Sequence, residues 1–94
     1  MPRNLWLFPP GRIVTTPGAL SALKETGEGS EPFIERHLSG DWGEVCDEDK
    51  RANSRALMTG SRLVSAYRTA RGTKLLVITE VDRASTCLLL PEEY

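Results

Sequence analysis

Apolar positions follow two rhythms along the chain. Between residues 16 and 60 they recur at helical spacing and are punctuated by glycine; between residues 62 and 90 they alternate or run together as in strands. Thr16-Pro17-Gly18-Ala19 opens the first predicted helix, because Thr16 carries a capping hydroxyl and proline suits the first helical position. Leu20, Leu23 and Ala19 form its apolar face, and Gly27 closes it. Ser30 is placed to cap a second helix that runs to about Leu38, with Phe33, Ile34 and Leu38 inward, His37 beside them, and Gly40 at its end. A third helix starts near Asp47, where Asp47, Glu48 and Asp49 complement the positive end of the helix dipole. It passes Ala52, Ala56 and Leu57, stops at Gly60, and sets Arg51 and Arg55 on one side.

The last third reads as strands. Residues 62–68 alternate, with Leu63, Ser65 and Tyr67 on one face; Thr69-Ala70-Arg71-Gly72 is a hairpin loop. Leu75-Leu76-Val77-Ile78 is the apolar centre of a strand buried on both faces, Val81-Asp82-Arg83-Ala84 turns the chain, and a third strand over 85–90 is stopped by Pro91. The expected class is α+β: about three short N-terminal helices packed on one face of a C-terminal three-stranded antiparallel meander. A short N-terminal strand at Arg12-Ile13-Val14-Thr15 can be added to it. Residues 1–11 form an N-terminal arm and 12–94 a single domain. In the arm, Leu5-Trp6-Leu7-Phe8 either docks on the core or offers Leu5, Trp6 and Phe8 to a protein partner or a second copy.

Composition narrows the class further. Ninety-four residues, 39% hydrophobic and 27% charged, exclude collagen-like, coiled-coil and disordered chains. Cys46 and Cys87 are too few for a disulfide framework, and no Cys/His cluster with zinc spacing exists. The N-terminal apolar run is too short for a signal-peptide core, and no run is long enough to span a membrane. A cytoplasmic protein with no membrane contact is expected. There is no P-loop, nucleotide-binding glycine pattern, nucleophile elbow or EF-hand spacing, so neither a cofactor nor a metal is implied.

The net charge of −1 hides an asymmetry. Residues 1–50 carry five Lys/Arg against nine Asp/Glu, and residues 51–94 carry seven against four. The basic stretch over 50–74 contains no acid; it is either a solvated face complemented by the acidic half or a phosphate-facing surface. The overall charge does not favour a nucleic-acid partner.

His37 is the only histidine, so any imidazole chemistry must be there. It reads either as a residue packed at a helix end or as a general acid or base, with Arg36 or another arginine stabilising phosphoryl charge. Asp41-Trp42 between two glycines is either a loop anchored by its indole or a binding edge. Asn53, alone among alanines, bonds a loop or faces a site. If a site exists, His37, Asp41, Trp42 and a meander arginine, Arg83 before Arg68, are expected to converge at one end of the domain.

Phe33-Ile34-Glu35-Arg36-His37, Gly40-Asp41-Trp42-Gly43, and the C-terminal stretch from Gly72-Thr73-Lys74 through Asp82-Arg83 to Leu89-Leu90-Pro91-Glu92-Glu93-Tyr94 resemble a family of small bacterial plasmid-related proteins found on mobile elements. That resemblance implies no activity. Helices before an antiparallel sheet are also similar, at the level of fold, to the small ribonuclease toxins of the RelE and barnase-like architectures. This similarity implies roles for Arg36, His37, Arg83 and Thr86, although such toxins are strongly basic and this chain is not. Two functions are therefore expected: a non-catalytic interaction or regulatory module of a mobile element, or an RNA-cleaving enzyme using His37, Arg36, Arg83 and Tyr67.

Overall fold

A computed structural model describes residues 5–94 of the chain. Strand β1 (Arg12–Thr15) precedes helices α1 (Pro17–Thr26), α2 (Glu31–Leu38) and α3 (Asp47–Thr59); strands β2 (Leu63–Arg68), β3 (Lys74–Thr79) and β4 (Ser85–Leu89) follow, and a 3-10 turn (Pro91–Glu93) closes the chain. The class is α+β, as the two rhythms imply. The finer expectation is corrected twice. The helices occupy the middle of the chain with strands on both sides, and the sheet is four-stranded and mixed instead of a three-stranded antiparallel meander. Its order is β1-β4-β3-β2, with β1 parallel to β4 and the other neighbours antiparallel. The reason is non-local: a short β-branched run announces a strand, but its partner lies at the other end of the chain.

Most of the local signals act as their chemistry requires. Thr16 Oγ1 accepts from the Ala19 amide at 3.3 Å, and α1 and α3 end at left-handed Gly27 and Gly60. Ser30 departs from expectation: its hydroxyl makes no cap, and its carbonyl instead accepts from the Phe33 and Ile34 amides. Leu20 is exposed, and Ala22 takes the inward place beside Ala19 and Leu23.

Strand alternation divides the sheet into two faces. Leu63, Ser65 and Tyr67 of β2, Leu75, Val77 and Thr79 of β3, and Thr86 and Leu88 of β4 share the face under the helices, and all are buried. They meet Ala19 and Leu23 of α1, Phe33, Ile34 and Leu38 of α2, and Ala56 of α3 in one core. Ile78 and Leu89 are buried on the other face. The chain end packs on β3, where Glu93 accepts from Thr16 Oγ1 and the Gly18 amide, and Arg62 donates to the Tyr94 hydroxyl.

The arm belongs to this core over the residues described; residues 1–4 lie outside them. Phe8 is buried in the central cluster, Trp6 Nε1 donates to Glu35 at 2.9 Å, and the Leu7 amide bonds the Leu38 carbonyl at 2.8 Å. Phe8 is thereby removed from the surface expected for a partner, while Leu5 and Leu7 stay exposed. Among the described residues, no helix is long and apolar enough to cross a membrane.

Candidate functional site

The helical period that turns Phe33, Ile34 and Leu38 inward also carries His37 into the core, where it has 0% exposure. Its Nδ1 lies 2.6 Å from Ser65 Oγ, and its Nε2 lies 2.9 Å from Thr79 Oγ1. Thr79 Oγ1 is 2.7 Å from Thr86 Oγ1, which donates to the Pro10 carbonyl at 2.7 Å. Counting protons orients the whole chain. Thr86 uses its one hydrogen on the carbonyl, so Thr79 donates to Thr86 and must accept from Nε2–H; Nδ1 then accepts from Ser65. The imidazole is neutral, and burial first, then the charge of Arg83, lowers its pKa from 6.5 to about 4. Phe8 and Trp42 meet the ring edge-on at 5.3 and 5.8 Å between centroids. Fully satisfied, such a network specifies how three strands and a helix register against one another.

The other predicted residues divide into two groups on either side of that ring. Arg36 Nε bonds Asp41 Oδ2 at 2.7 Å, and its guanidinium lies 4.4 Å over the Tyr67 ring. The pair holds the Arg36 pKa above and the Asp41 pKa below their ordinary values, chiefly through that hydrogen bond. Tyr67 donates to the Asp41 carbonyl at 2.5 Å, and burial pushes its phenol pKa upward. Arg83 stands beyond Phe8, with its guanidinium carbon 5.7 Å from that ring. It donates to the carbonyls of Ala56, Ser61 and Glu80, fastening the β3–β4 turn to the end of α3. Within the turn Asp82 does not pair with Arg83 but accepts from the Ala84 amide. Arg68 pairs with Glu44 at 2.9 Å and with the Gly72 carbonyl.

Thus His37 and Trp42 meet and Arg83 lies near. Three surface concavities of about 370, 230 and 380 Å³ lie elsewhere, and none is lined by His37, Trp42, Arg36, Asp41, Tyr67 or Arg83. Three arginines of the basic stretch, Arg62, Arg68 and Arg71, pair with Glu80, Glu44 and Glu25. Among the described residues, no group of three or more His, Cys, Asp or Glu could hold a metal ion.

The two edges of the sheet differ in chemistry. Along β2, Val64 and Ala66 turn their backbone groups away from β3. Asn53 closes the first, donating to the Val64 carbonyl at 2.8 Å and accepting from its amide at 3.1 Å. The Trp42 carbonyl and Glu44 amide close the second at 3.1 and 2.7 Å. Gly43 between them needs its positive φ of 71°, and a Cβ there would lie 2.0 Å from the Ala66 oxygen. Along β1, the Arg12 and Thr16 amides bond the Ala84 and Leu88 carbonyls. Residues 12, 14 and 16 therefore face β4, and Ile13 and Thr15 turn N–H and C=O outward with no strand beyond them among the described residues. Ile13, 48% exposed, lines the 230 Å³ groove with Trp6, Ile34, Leu38, Glu31 and Glu35, and Val14, 40% exposed, lies on the other face of the strand.

The sequence reading missed Ser65 and Thr79 as partners of His37; their polarity on the inward side of apolar strands was the available signal. It also missed the open β1 edge, for which a four-residue run carries no signal. No protein-family model matches the chain, and no curated protein or solved structure matches it either.

Proposed function

We propose that the protein is a non-catalytic interaction module that takes an extended polypeptide segment along β1. The setting is a bacterial mobile element, as the resemblance to plasmid-related proteins implies. One observation carries this reading: among the described residues, β1 leaves the outward amides and carbonyls of Ile13 and Thr15 free beside exposed Ile13 and Val14, whereas the opposite edge is closed. A strand added there gains backbone hydrogen bonds, and the apolar groove gives it side-chain selectivity. The competing reading, RNA cleavage with His37 as the base, draws no support from an imidazole bonded at both nitrogens inside the core.

The test is a photoreactive amino acid placed at Ile13 in the cells that carry the protein, with Met58 as the control. Met58 is 90% exposed on α3, which packs beside β2. Adducts from position 13 and none from 58 are expected. Equal yields at both positions, or RNA cleavage by the purified wild-type chain, would overturn the proposal.

A further inference from the structure

We propose that the segment taken by β1 is β1 of a second copy, paired antiparallel about a twofold axis at Val14 so that two sheets become one. This rests on the reading of β1 as a binding edge and adds the identity of the occupant. The extended run that is free to pair is bounded on both sides. Gly11, at φ 65°, breaks it before Arg12, and Pro17 has no amide with which to continue it after Thr16. What remains, residues 12–16, is centred on Val14. Ile13 and Thr15, the two residues with outward backbone groups, lie at equal distances from that centre.

Antiparallel pairing about Val14 therefore sets Ile13 opposite the partner's Thr15 and Thr15 opposite the partner's Ile13. Each pair exchanges both N–H···O bonds. Val14 meets the partner's Val14 in a non-hydrogen-bonded pair, where the Cα atoms approach to about 4.5 Å and the exposed side chains cover each other. A one-residue slip would turn the outward groups away from each other, and a two-residue slip would set Thr15 opposite Gly11 or Ile13 opposite Pro17 beyond the run, so this register makes the most bonds.

Charge selects the same arrangement. Arg12 is exposed and makes no ion pair among the described residues. In this register it lies opposite the partner's Thr16. In every copy Thr16 Oγ1 donates to the carboxylate of Glu93, which also accepts from the Gly18 amide. Arg12 and Thr16 share the face of β1 away from the helices, so each Arg12 meets the acidic chain end of the other copy. Sheet edges that stay single are often very short or carry charge, proline or a bulge; β1 is short and starts with Arg12, but its centre, Ile13-Val14-Thr15, carries no charge, proline or bulge. Five paired residues cover less than the roughly 1,600 Å² of a standard interface, so the dimer forms with rising concentration and not as an obligate unit.

The experiment uses the full chain in a Cys46→Ser, Cys87→Ala background, because Cys46 is exposed and Cys87 of β4 lies opposite Val14, so that either would compete for an introduced thiol. Sedimentation equilibrium from about 10 µM to about 1 mM is expected to show the mass rising towards that of two copies. Val14→Lys, which sets two ammonium groups side by side at the axis, should move the midpoint upward by at least about tenfold. Val14→Cys should form a disulfide-linked dimer under mild oxidation, since its Cα separation lies within the range a disulfide bridges, and Met58→Cys should not. A strict monomer through about 1 mM, or equal cross-linking at 14 and 58, overturns the second copy as occupant. Adducts at Ile13 to a chain of different mass, with a monomer in solution, would leave the binding edge standing and remove only this proposal. No adducts at Ile13 together with a monomer would remove both.

Discussion

The β2 edge and the β1 edge expose the same kind of backbone, and only one of them is closed. At β2 the chain spends a buried asparagine and a positive-φ glycine to satisfy the amides and carbonyls of Val64 and Ala66. At β1 nothing of this chain covers Ile13 and Thr15 among the described residues, and the Ile13 and Val14 side chains are exposed. Buried backbone groups must be paired, so closing β2 is what allows α3 and the residue 42–44 segment to pack over it. An edge in water has no such requirement. The contrast, more than any catalytic motif in the chain, is what the proposed interaction along β1 rests on.

The largest effect should come from Gly43→Ala. A Cβ would meet the Ala66 oxygen and demand an unfavourable φ, so denaturant melts should show a loss of at least about 3 kcal/mol. An unchanged midpoint would mean that this edge is not closed by backbone pairing.

Acid should come next. The chain from Ser65 through His37, Thr79 and Thr86 to Pro10 runs from β2 to the segment entering β1, so protonating it loosens the tie between the two edges. The folded pKa of about 4 lies below the unfolded value of 6.5, so the unfolded state binds the proton first. Stability is complete above pH 6.5 and falls as the pH drops towards 4, by about 3 kcal/mol in all. Urea melts across that window check it, and His37→Gln should flatten the slope. A slope unchanged in that variant would assign the acid sensitivity to other groups.

Asn53→Ala ranks third. It strips both partners from Val64 and should cost about 2 kcal/mol, together with faster amide exchange at Val64. Wild-type exchange there would show that water replaces the amide. Ile13→Ser should be the smallest effect, within about 0.5 kcal/mol, because the side chain is half in water already. In dilute protein the Ile13 and Thr15 amides should exchange orders of magnitude faster than those of Val64 and Ala66. Equal protection at the two edges would remove the contrast.

Much of the fold was legible because its signals are local. Thr16, Gly27, Gly60 and Pro91 act through their own backbone and immediate neighbours, and the alternation of Leu63, Ser65 and Tyr67 survives folding unchanged. The site was less legible. His37 stood out as the sole imidazole, and its position beside Phe33, Ile34 and Leu38 pointed inward, but its partners are 28 and 42 residues away. Arg83 and Asp41 looked like ligand-binding charges, yet they bond to carbonyls and to Arg36 because a folded chain satisfies its own turns first.

The sequence by itself determined the α+β class, where the helices begin and end, and which residues of β2 share one face, since each follows from the conformational preferences and spacing of neighbouring residues. Tertiary structure alone decided that β1 joins β4 in parallel, that Asn53 closes one edge, and that the imidazole is buried and bonded at both nitrogens. Those outcomes depend on which distant groups arrive within hydrogen-bonding distance. Pairing over that range is set by the packing of the whole chain, and no local pattern encodes it.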